Sequence, residues 1–141
     1  MEERSDWRLG GCHCGSVRFR VRLAGGFEAR RRCTCSYCRM KGAVVVSTTR
    51  DDLRIEQGEE ALTEYRFNTG TAPHWFCSRC GIYTHHQRRS NPSQFGVNVA
   101  CLAGVSPFDF PEVVVYDGVA HPNDNGGRNR VAGVLRFEPD G

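Results

Sequence analysis

Seven of the eight cysteines fall into three short groups, and thiols at such spacings are typical ligands of a tightly held metal ion. Apart from these groups, one cysteine stands alone at Cys101. In chain order the three groups are Cys12 and Cys14, then Cys33, Cys35 and Cys38, then Cys77 and Cys80.

The spacing inside the first and third groups allows each pair of sulfurs to face one ion. Side chains at positions i and i+2 of an extended chain point to the same face, so Cys12 and Cys14 predict a two-ligand arm. The sequence FCSRCG predicts a tight turn that presents Cys77 and Cys80, with Gly81 at positive φ. Together the two pairs supply the four thiolates of a closed tetrahedral zinc site.

The middle group supplies only three thiolates, from Cys33, Cys35 and Cys38. Three protein ligands leave the fourth position of a zinc ion open, as in catalytic sites, so this group is predicted to accept a ligand from solution. Spacing alone leaves other closures open. The cysteines can also pair differently, and iron–sulfur ligation is a weaker alternative because the spacing matches neither ferredoxin pattern. The other residues that can close the middle site are Cys101, His13, His74, His85 and His86.

The composition favours metal ligation over disulfide formation as the role of the clustered cysteines. With 141 residues, 39% hydrophobic, the sequence predicts a single domain from 1 to 141 and no membrane span. The start MEERSDWRLGG lacks the basic and apolar regions of a secretory leader, which predicts a cytoplasmic location. In that reducing compartment, clustered thiols are more often metal ligands or catalysts than disulfides.

The positive charge does not favour nucleic-acid binding. The formal net charge is +3, and seven thiolates with two Zn²⁺ ions bring it to zero. Arg18, Arg20 and Arg22 alternate with apolar residues, which predicts a strand with one solvated face rather than a phosphate-binding surface.

The elements that position the cysteines are predicted to be strands. Apolar and β-branched runs are bounded by glycine, proline and asparagine, whereas helix patterns are scarce. Cys101 is expected on a strand as a small buried side chain. The fold class is therefore mainly β. The predicted strand segments are 16–23, AVVVS at 43–47, EYRF at 64–67, FGVNVACL at 95–102, EVVVY at 112–116 and VAGVLRF at 131–137.

Several motifs together resemble the glutathione-dependent formaldehyde-activating family, whose domain also occurs in centromere protein V. The resemblance extends from about position 10 to 122 and depends on the joint occurrence of all three cysteine motifs. The matching stretches are GGCHCGSVRFRV, CTCSYCRMKGA, YRFNTGTAPHWFCSRCGIY, VNVACL and YDGVAHP.

The resemblance implies a zinc-containing Mss4-like β-fold with little helix and a zinc-dependent carbon–sulfur lyase. Glutathione and formaldehyde would interconvert with S-hydroxymethylglutathione, the thiol taking the open position of the zinc. The alternative is a zinc-stapled thiol carrier, or a protein or nucleic-acid interaction module without catalysis. A fourth protein ligand at the middle group would favour the alternative. The resemblance assigns Cys12, Cys14, Cys77 and Cys80 to a structural zinc, and Cys33, Cys35 and Cys38 to a catalytic zinc.

Polar residues near the cysteine motifs are the candidates for substrate binding. Arg39 and Lys41 are predicted to bind carboxylates of the thiol. His74 and Asn98, with Tyr37, are candidates to hydrogen-bond the oxygen of the aldehyde adduct. In YDGVAHP, Asp117 and His121 are expected to line the same cleft, although a turn at Asp-Gly explains Asp117 without any function.

Overall fold

The computed structural model describes residues 6–66, 72–88, 91–118 and 130–140, and these residues are mainly β with little helix. This confirms the predicted fold class, whereas the domain limits of 1 to 141 stay a prediction. One α-helix, α1, spans Ser36–Lys41, and short 3-10 helices span Arg50–Asp52, Glu59–Ala61, Val99–Cys101 and Pro107–Asp109. The strands are β1 Arg8–Gly11, β2 Arg18–Val21, β3 Arg31–Cys33, β4 Val45–Thr49, β5 Leu53–Gln57, β6 Leu62–Tyr65, β7 His74–Cys77, β8 Tyr83–Gln87, β9 Gln94–Asn98, β10 Glu112–Tyr116 and β11 Val131–Arg136.

The strands form two sheets. A three-stranded antiparallel sheet has the order β1-β2-β5, and an eight-stranded sheet has the order β11-β10-β3-β4-β9-β8-β7-β6. Among the described residues, every pairing in the larger sheet is antiparallel except that of β3 with β10, where Cys33 lies beside Tyr116. This parallel pairing brings the middle cysteine group next to a segment more than eighty residues later in the chain.

The main apolar core joins the two sheets. Phe19 and Val21 of β2 are buried and belong to the same cluster as Val46 of β4 and Val97 of β9. Between the buried residues of β2, the arginines are exposed, so the predicted strand with one solvated face is confirmed. A second, smaller cluster surrounds the first and third cysteine groups.

The strand predicted over 95–102 is too long. Strand β9 ends at Asn98, whose side-chain oxygen accepts a hydrogen bond from the Ala100 N–H at 3.1 Å and caps a 3-10 helix. Cys101 lies in this helix rather than on a strand, but it is buried as predicted. In the described residues, no helix is long and apolar enough to cross a membrane. The strand predicted over 64–67 is described only as far as Arg66.

Candidate metal centres and the adjoining cavity

The first and third cysteine groups form one cluster, the four-cysteine group of Cys12, Cys14, Cys77 and Cys80. Its sulfur atoms all lie within 4.8 Å of one another. The Sγ atom of Cys14 is 3.7 Å from that of Cys12 and 3.8 Å from that of Cys77. Sulfurs at the corners of a tetrahedron with Zn–S bonds of about 2.3 Å are about 3.8 Å apart, so the donor set fits zinc.

Two glycine turns shape this group. The N–H of Gly81 donates to the carbonyl of Cys77 at 2.7 Å with Gly81 at φ +78°, which confirms the predicted turn. Cys12 and Cys14 do not form the extended arm that their spacing predicted, because the Gly15 N–H donates to the carbonyl of Cys12 at 3.3 Å and closes a turn there. The sulfurs of two cysteines two positions apart are thus brought together by a turn.

Backbone N–H groups and Ser16 contact the sulfurs of this group. The N–H of Val17 donates to Cys12 Sγ at 3.3 Å, and the N–H of Arg79 donates to Cys77 Sγ at 3.4 Å. Hydrogen bonding by the hydroxyl and backbone of Ser16 lowers the pKa of the exposed Cys14 to about 6. Burial instead raises the pKa of Cys77, so the corners of the group differ in how readily they lose a proton.

The remaining cluster is the three-cysteine group of Cys33, Cys35 and Cys38, at the end of β3 and the start of α1. Its three sulfurs also lie within 4.8 Å of one another. The sulfur of Cys35 caps α1 by accepting the Cys38 N–H at 3.3 Å, while Gly42 in the left-handed region ends the helix. The helix was not predicted, because its six residues are too few for a periodic pattern and its cap is a thiol.

Crowding makes the protonation states of these thiols interdependent. Hydrogen bonds from Cys33 and Cys38 lower the pKa of Cys35 to about 2. The same contacts raise the pKa of Cys33 and, with burial, that of Cys38. Thiolates this close repel one another, and a divalent cation is a partner that allows all three to ionise. The donor set is soft and fits zinc.

Among the described residues, this group has no fourth metal-ligating side chain. Five residues that the spacing left as candidate fourth ligands do not join the cluster. They are Cys101, His13, His74, His85 and His86. Gly118, which sequence reasoning missed, closes one side: a Cβ there would lie 2.2 Å from Cys33 Sγ, and its N–H donates to the Thr34 hydroxyl at 2.9 Å. The Asp-Gly dipeptide was attributed to a turn, and only the β3–β10 pairing reveals this close approach.

A cavity of about 590 Å³ lies between α1 and the turn that follows Cys80. From α1 it is lined by Tyr37, Met40 and Lys41, and from the opposite side by Ile82. Helix α1 therefore contributes Cys38 to the three-cysteine group and Lys41 to the cavity wall.

Lys41 lies in an aromatic surround. Its Nζ is 3.5 Å from the centroid of the Tyr83 ring, 5.1 Å from that of Tyr37 and 3.5 Å from His74 Nδ1. Burial lowers the pKa of Lys41, whereas the nearby thiols raise it. Among the described residues, no carboxylate forms an ion pair with this ammonium. The cavity thus has a positive group at its wall that is held by ring faces.

A pair of buried, neutral histidines lies behind Lys41. Burial, followed by the charge of Lys41, lowers the pKa of His74 to about 3, so this imidazole is neutral near pH 7. Its ring stacks on that of His86 with centroids 4.7 Å apart. The Tyr83 hydroxyl lies 2.6 Å from His86 Nδ1, which we assign as the acceptor because burial keeps the pKa of His86 well below its usual value. Sequence reasoning did not identify Tyr83, and it named His86 only as a residue that could close the three-cysteine group.

The four predicted substrate residues occupy different positions. Lys41 and Asn98 line the cavity, His74 is buried behind Lys41, and Arg39 is exposed and absent from the cavity wall. The side chain of Asn98 is already engaged, because its Nδ2 donates to the carbonyl of Tyr83 at 2.9 Å and its oxygen caps the 3-10 helix. Its substrate role stays a prediction, as does that of Arg39. His121 lies outside the described residues.

Comparisons with known proteins agree with this arrangement. The family model of the glutathione-dependent formaldehyde-activating enzyme matches residues 8–116. A Halomonas elongata protein called "Putative glutathione-dependent formaldehyde-activating enzyme" is 35% identical over 79 residues, half of each chain, so this chain matches about half the length of that relative. A crystal structure of a Rhodobacter sphaeroides protein is 57% identical with a TM-score of 0.74, covering 74% of this chain and 96% of that one. The family match includes every cysteine of both groups, and the chain belongs to the glutathione-dependent formaldehyde-activating enzyme family.

Proposed function

We propose that the chain is a zinc-dependent carbon–sulfur lyase that binds a thiol such as glutathione at the three-cysteine group and interconverts it with S-hydroxymethylglutathione. The observation that carries the proposal is the convergence of three sulfurs, without a fourth described ligand, at the helix that also lines the cavity. Membership of the family supports glutathione and formaldehyde as the reactants.

We assign a zinc ion to each cysteine group, a structural one to the four-cysteine group and a catalytic one to the three-cysteine group. The tetrahedral sulfur spacing supports the first assignment, and the crowded soft donors support the second. When bound by three thiolates, zinc supplies a Lewis acid that lowers the pKa of a thiol at its fourth position. A reducing compartment such as the cytoplasm would keep the seven thiols available as ligands.

The residues of the chain itself position the reactants. The cavity volume of about 590 Å³ lies within the range of small-molecule sites. Lys41 presents its ammonium there and attracts a carboxylate of the thiol, since its neighbours are ring faces rather than acids. Tyr37 lines the same wall one residue before Cys38, and we assign its hydroxyl as a hydrogen-bond donor to the oxygen of the adduct.

The reaction adds a thiol to an aldehyde without any oxidant or reductant. An electron pair of the sulfur forms the carbon–sulfur bond, the π pair of the carbonyl moves to oxygen, and that oxygen takes up one proton while the thiol proton is released. Cleavage of the adduct is the reverse. The chain contributes by holding the sulfur and the carbonyl carbon in contact and by stabilising charge on the oxygen.

Exchange spectroscopy by NMR tests the proposal on the zinc-loaded chain with glutathione and formaldehyde at equilibrium. The wild-type chain should accelerate exchange between glutathione and its adduct, and Cys35→Ser should lose the acceleration. The matched control is Cys101→Ala, which removes a buried thiol that belongs to neither group. A zinc-loaded chain that binds glutathione without accelerating exchange would overturn the lyase and favour the thiol carrier.

A further inference from the structure

Strand β11 is the outermost strand of the larger sheet, and it is apolar on both faces. Val134 and Leu135 are neighbours and so point to opposite faces, yet they are 45% and 48% exposed. Five of the nine large apolar side chains that are exposed in the described residues lie on or beside this strand. They are Phe108, Val131, Val134, Leu135 and Phe137, and the rings of Phe108 and Phe137 are 5.1 Å apart.

The outer edge of β11 also offers free backbone groups. The N–H of Phe137 donates to the carbonyl of Pro111 at 3.0 Å, so the alternation of an antiparallel ladder turns the N–H and C=O groups of Val134 and Arg136 away from β10. In the described ranges, β11 pairs with β10 alone. A partner on one face would leave the edge unpaired, whereas an added strand pairs the outward backbone groups and places side chains beside those of β11 on both faces.

We propose that β11 pairs antiparallel with β11 of a second copy of this chain, which joins the larger sheets of two protomers across a two-fold axis. The charges at its ends support a second copy as the occupant. Arg130 precedes the strand and Glu138 follows it, and within the described part of the chain neither belongs to an ion pair. Antiparallel pairing places the Arg130 end of each strand beside the Glu138 end of the other.

The side chains select a register in which Val134 lies on the two-fold axis. Leu135 then lies opposite Gly133, where an added Cβ would meet no atom within 4 Å, so the leucine has space. Arg136 lies opposite Ala132, the residue that the register shift leaves without a partner in β10. A register centred on Arg136 would instead oppose two like charges. The Val134 register also pairs outward-facing backbone groups with each other.

The oligomeric state of the full, zinc-loaded chain tests this pairing. Light scattering after size exclusion should give twice the chain mass of 15.8 kDa at micromolar concentration. Val134→Lys and Val134→Glu should each weaken self-association at least about tenfold, because each places like charges together at the axis. An equimolar mixture of the two variants should restore the dimer, since lysine then faces glutamate.

The matched control is Leu9→Lys, which changes a residue 53% exposed on the outer strand of the smaller sheet and should leave the dimer intact. Circular dichroism checks that the Val134 variants are folded, as expected for an exposed position. A monomeric wild-type chain would overturn the proposal and assign the edge to a different protein. A dimer that survives either charge at Val134, or monomeric variants that fail to recombine, would also overturn it.

Discussion

The two cysteine groups are built in opposite ways. The four-cysteine group joins segments that are distant in sequence, since Cys14 and Cys77 are 63 positions apart. The three-cysteine group takes its ligands from six consecutive positions, between Cys33 and Cys38. An ion in the first group closes a long loop of chain, whereas an ion in the second connects residues that β3 and α1 already hold together. The four-cysteine group is therefore suited to stabilising the fold, and the three-cysteine group is suited to exchanging a ligand.

The two cysteine groups also differ in how deeply their cysteines are buried. Cys77 has no exposed surface and lies in an apolar cluster with Val17 and Ala61. The three-cysteine group is half-buried, and its helix also forms a wall of the cavity. Two cysteines of the four-cysteine group are buried, whereas all three of the other group keep partly exposed surface.

The largest expected effect is the stability difference between Cys77→Ser and Cys35→Ser. Structural zinc contributes on the order of 10 kcal/mol to folding in small zinc domains, so losing one of four ligands should give aggregated or protease-sensitive protein. Cys35→Ser should stay soluble, because it removes a ligand from the local site. Thermal denaturation followed by circular dichroism measures both. Equal losses would mean that both groups are structural or that the cysteines are partitioned differently.

The next largest effect should be a difference in how tightly the two groups retain zinc. Folded, reduced protein should contain between one and two zinc ions per chain, and a chelator should remove the ion of the three-cysteine group first, because three ligands form a weaker chelate than four. Elemental analysis during stepwise chelation provides the measurement. Simultaneous loss of both ions would contradict the comparison, and stoichiometric iron would replace zinc with the iron–sulfur alternative.

Cobalt substitution should show which group accepts a thiol. With Co²⁺ in both groups, glutathione should change the thiolate charge-transfer and d–d bands, and Cys35→Ser should abolish the change. The apparent affinity should rise as the pH approaches the free-thiol pKa of about 8.5, because the thiol must lose its proton to bind. Oxidised glutathione is the control that should have no effect. A spectrum that ignores every thiol would mean that the three-cysteine group is closed.

The smallest expected effect concerns the charge beside the cavity. Lys41→Met should weaken glutathione binding by about 1 kcal/mol, roughly fivefold, while 2-mercaptoethanol, which has no carboxylate, should bind as before. Arg39→Met is the matched control, since Arg39 is exposed and absent from the cavity wall. Titrations of the cobalt-substituted chain provide both affinities. Equal weakening by the two variants would indicate a general charge effect rather than a cavity contact.

Sequence patterns predicted the elements whose formation depends on residues close together in the chain. The predicted strands correspond to observed ones at β2, which alternates, and at β4, β10 and β11, which are apolar runs. Both patterns can be recognised in the sequence, because one indicates a strand with a buried face and the other a run of β-branched residues. The turn at Gly81 was predicted for the same reason. Strand β8 was missed because YTHHQ reads as polar, although His85 and Thr84 are buried and hydrogen-bonded to each other at 2.8 Å.

The sequence indicated which sulfurs group together and named Lys41 as a candidate, but it did not indicate the surroundings of Lys41. Spacing identified the sulfurs that lie together in each group, but the surroundings of Lys41 depend on strands β7 and β8, which bring His74 and Tyr83 to α1. Such contacts leave no periodic pattern. Arg39, two positions before Lys41, appeared an equal candidate because sequence does not reveal which side of a six-residue helix faces a cavity.

The contact of Gly118 with Cys33 has a consequence for the order in which the chain folds. The four-cysteine group is complete once residue 80 has been synthesised, so its ion can bind while the later strands are still absent. The three-cysteine group has all its ligands by residue 38, but its cover arrives only when β10 docks beside β3. A nascent chain therefore exposes three uncovered thiols while residues 39 to 118 are being synthesised. This interval is when they are most open to oxidation, and also when a metal ion can enter most freely.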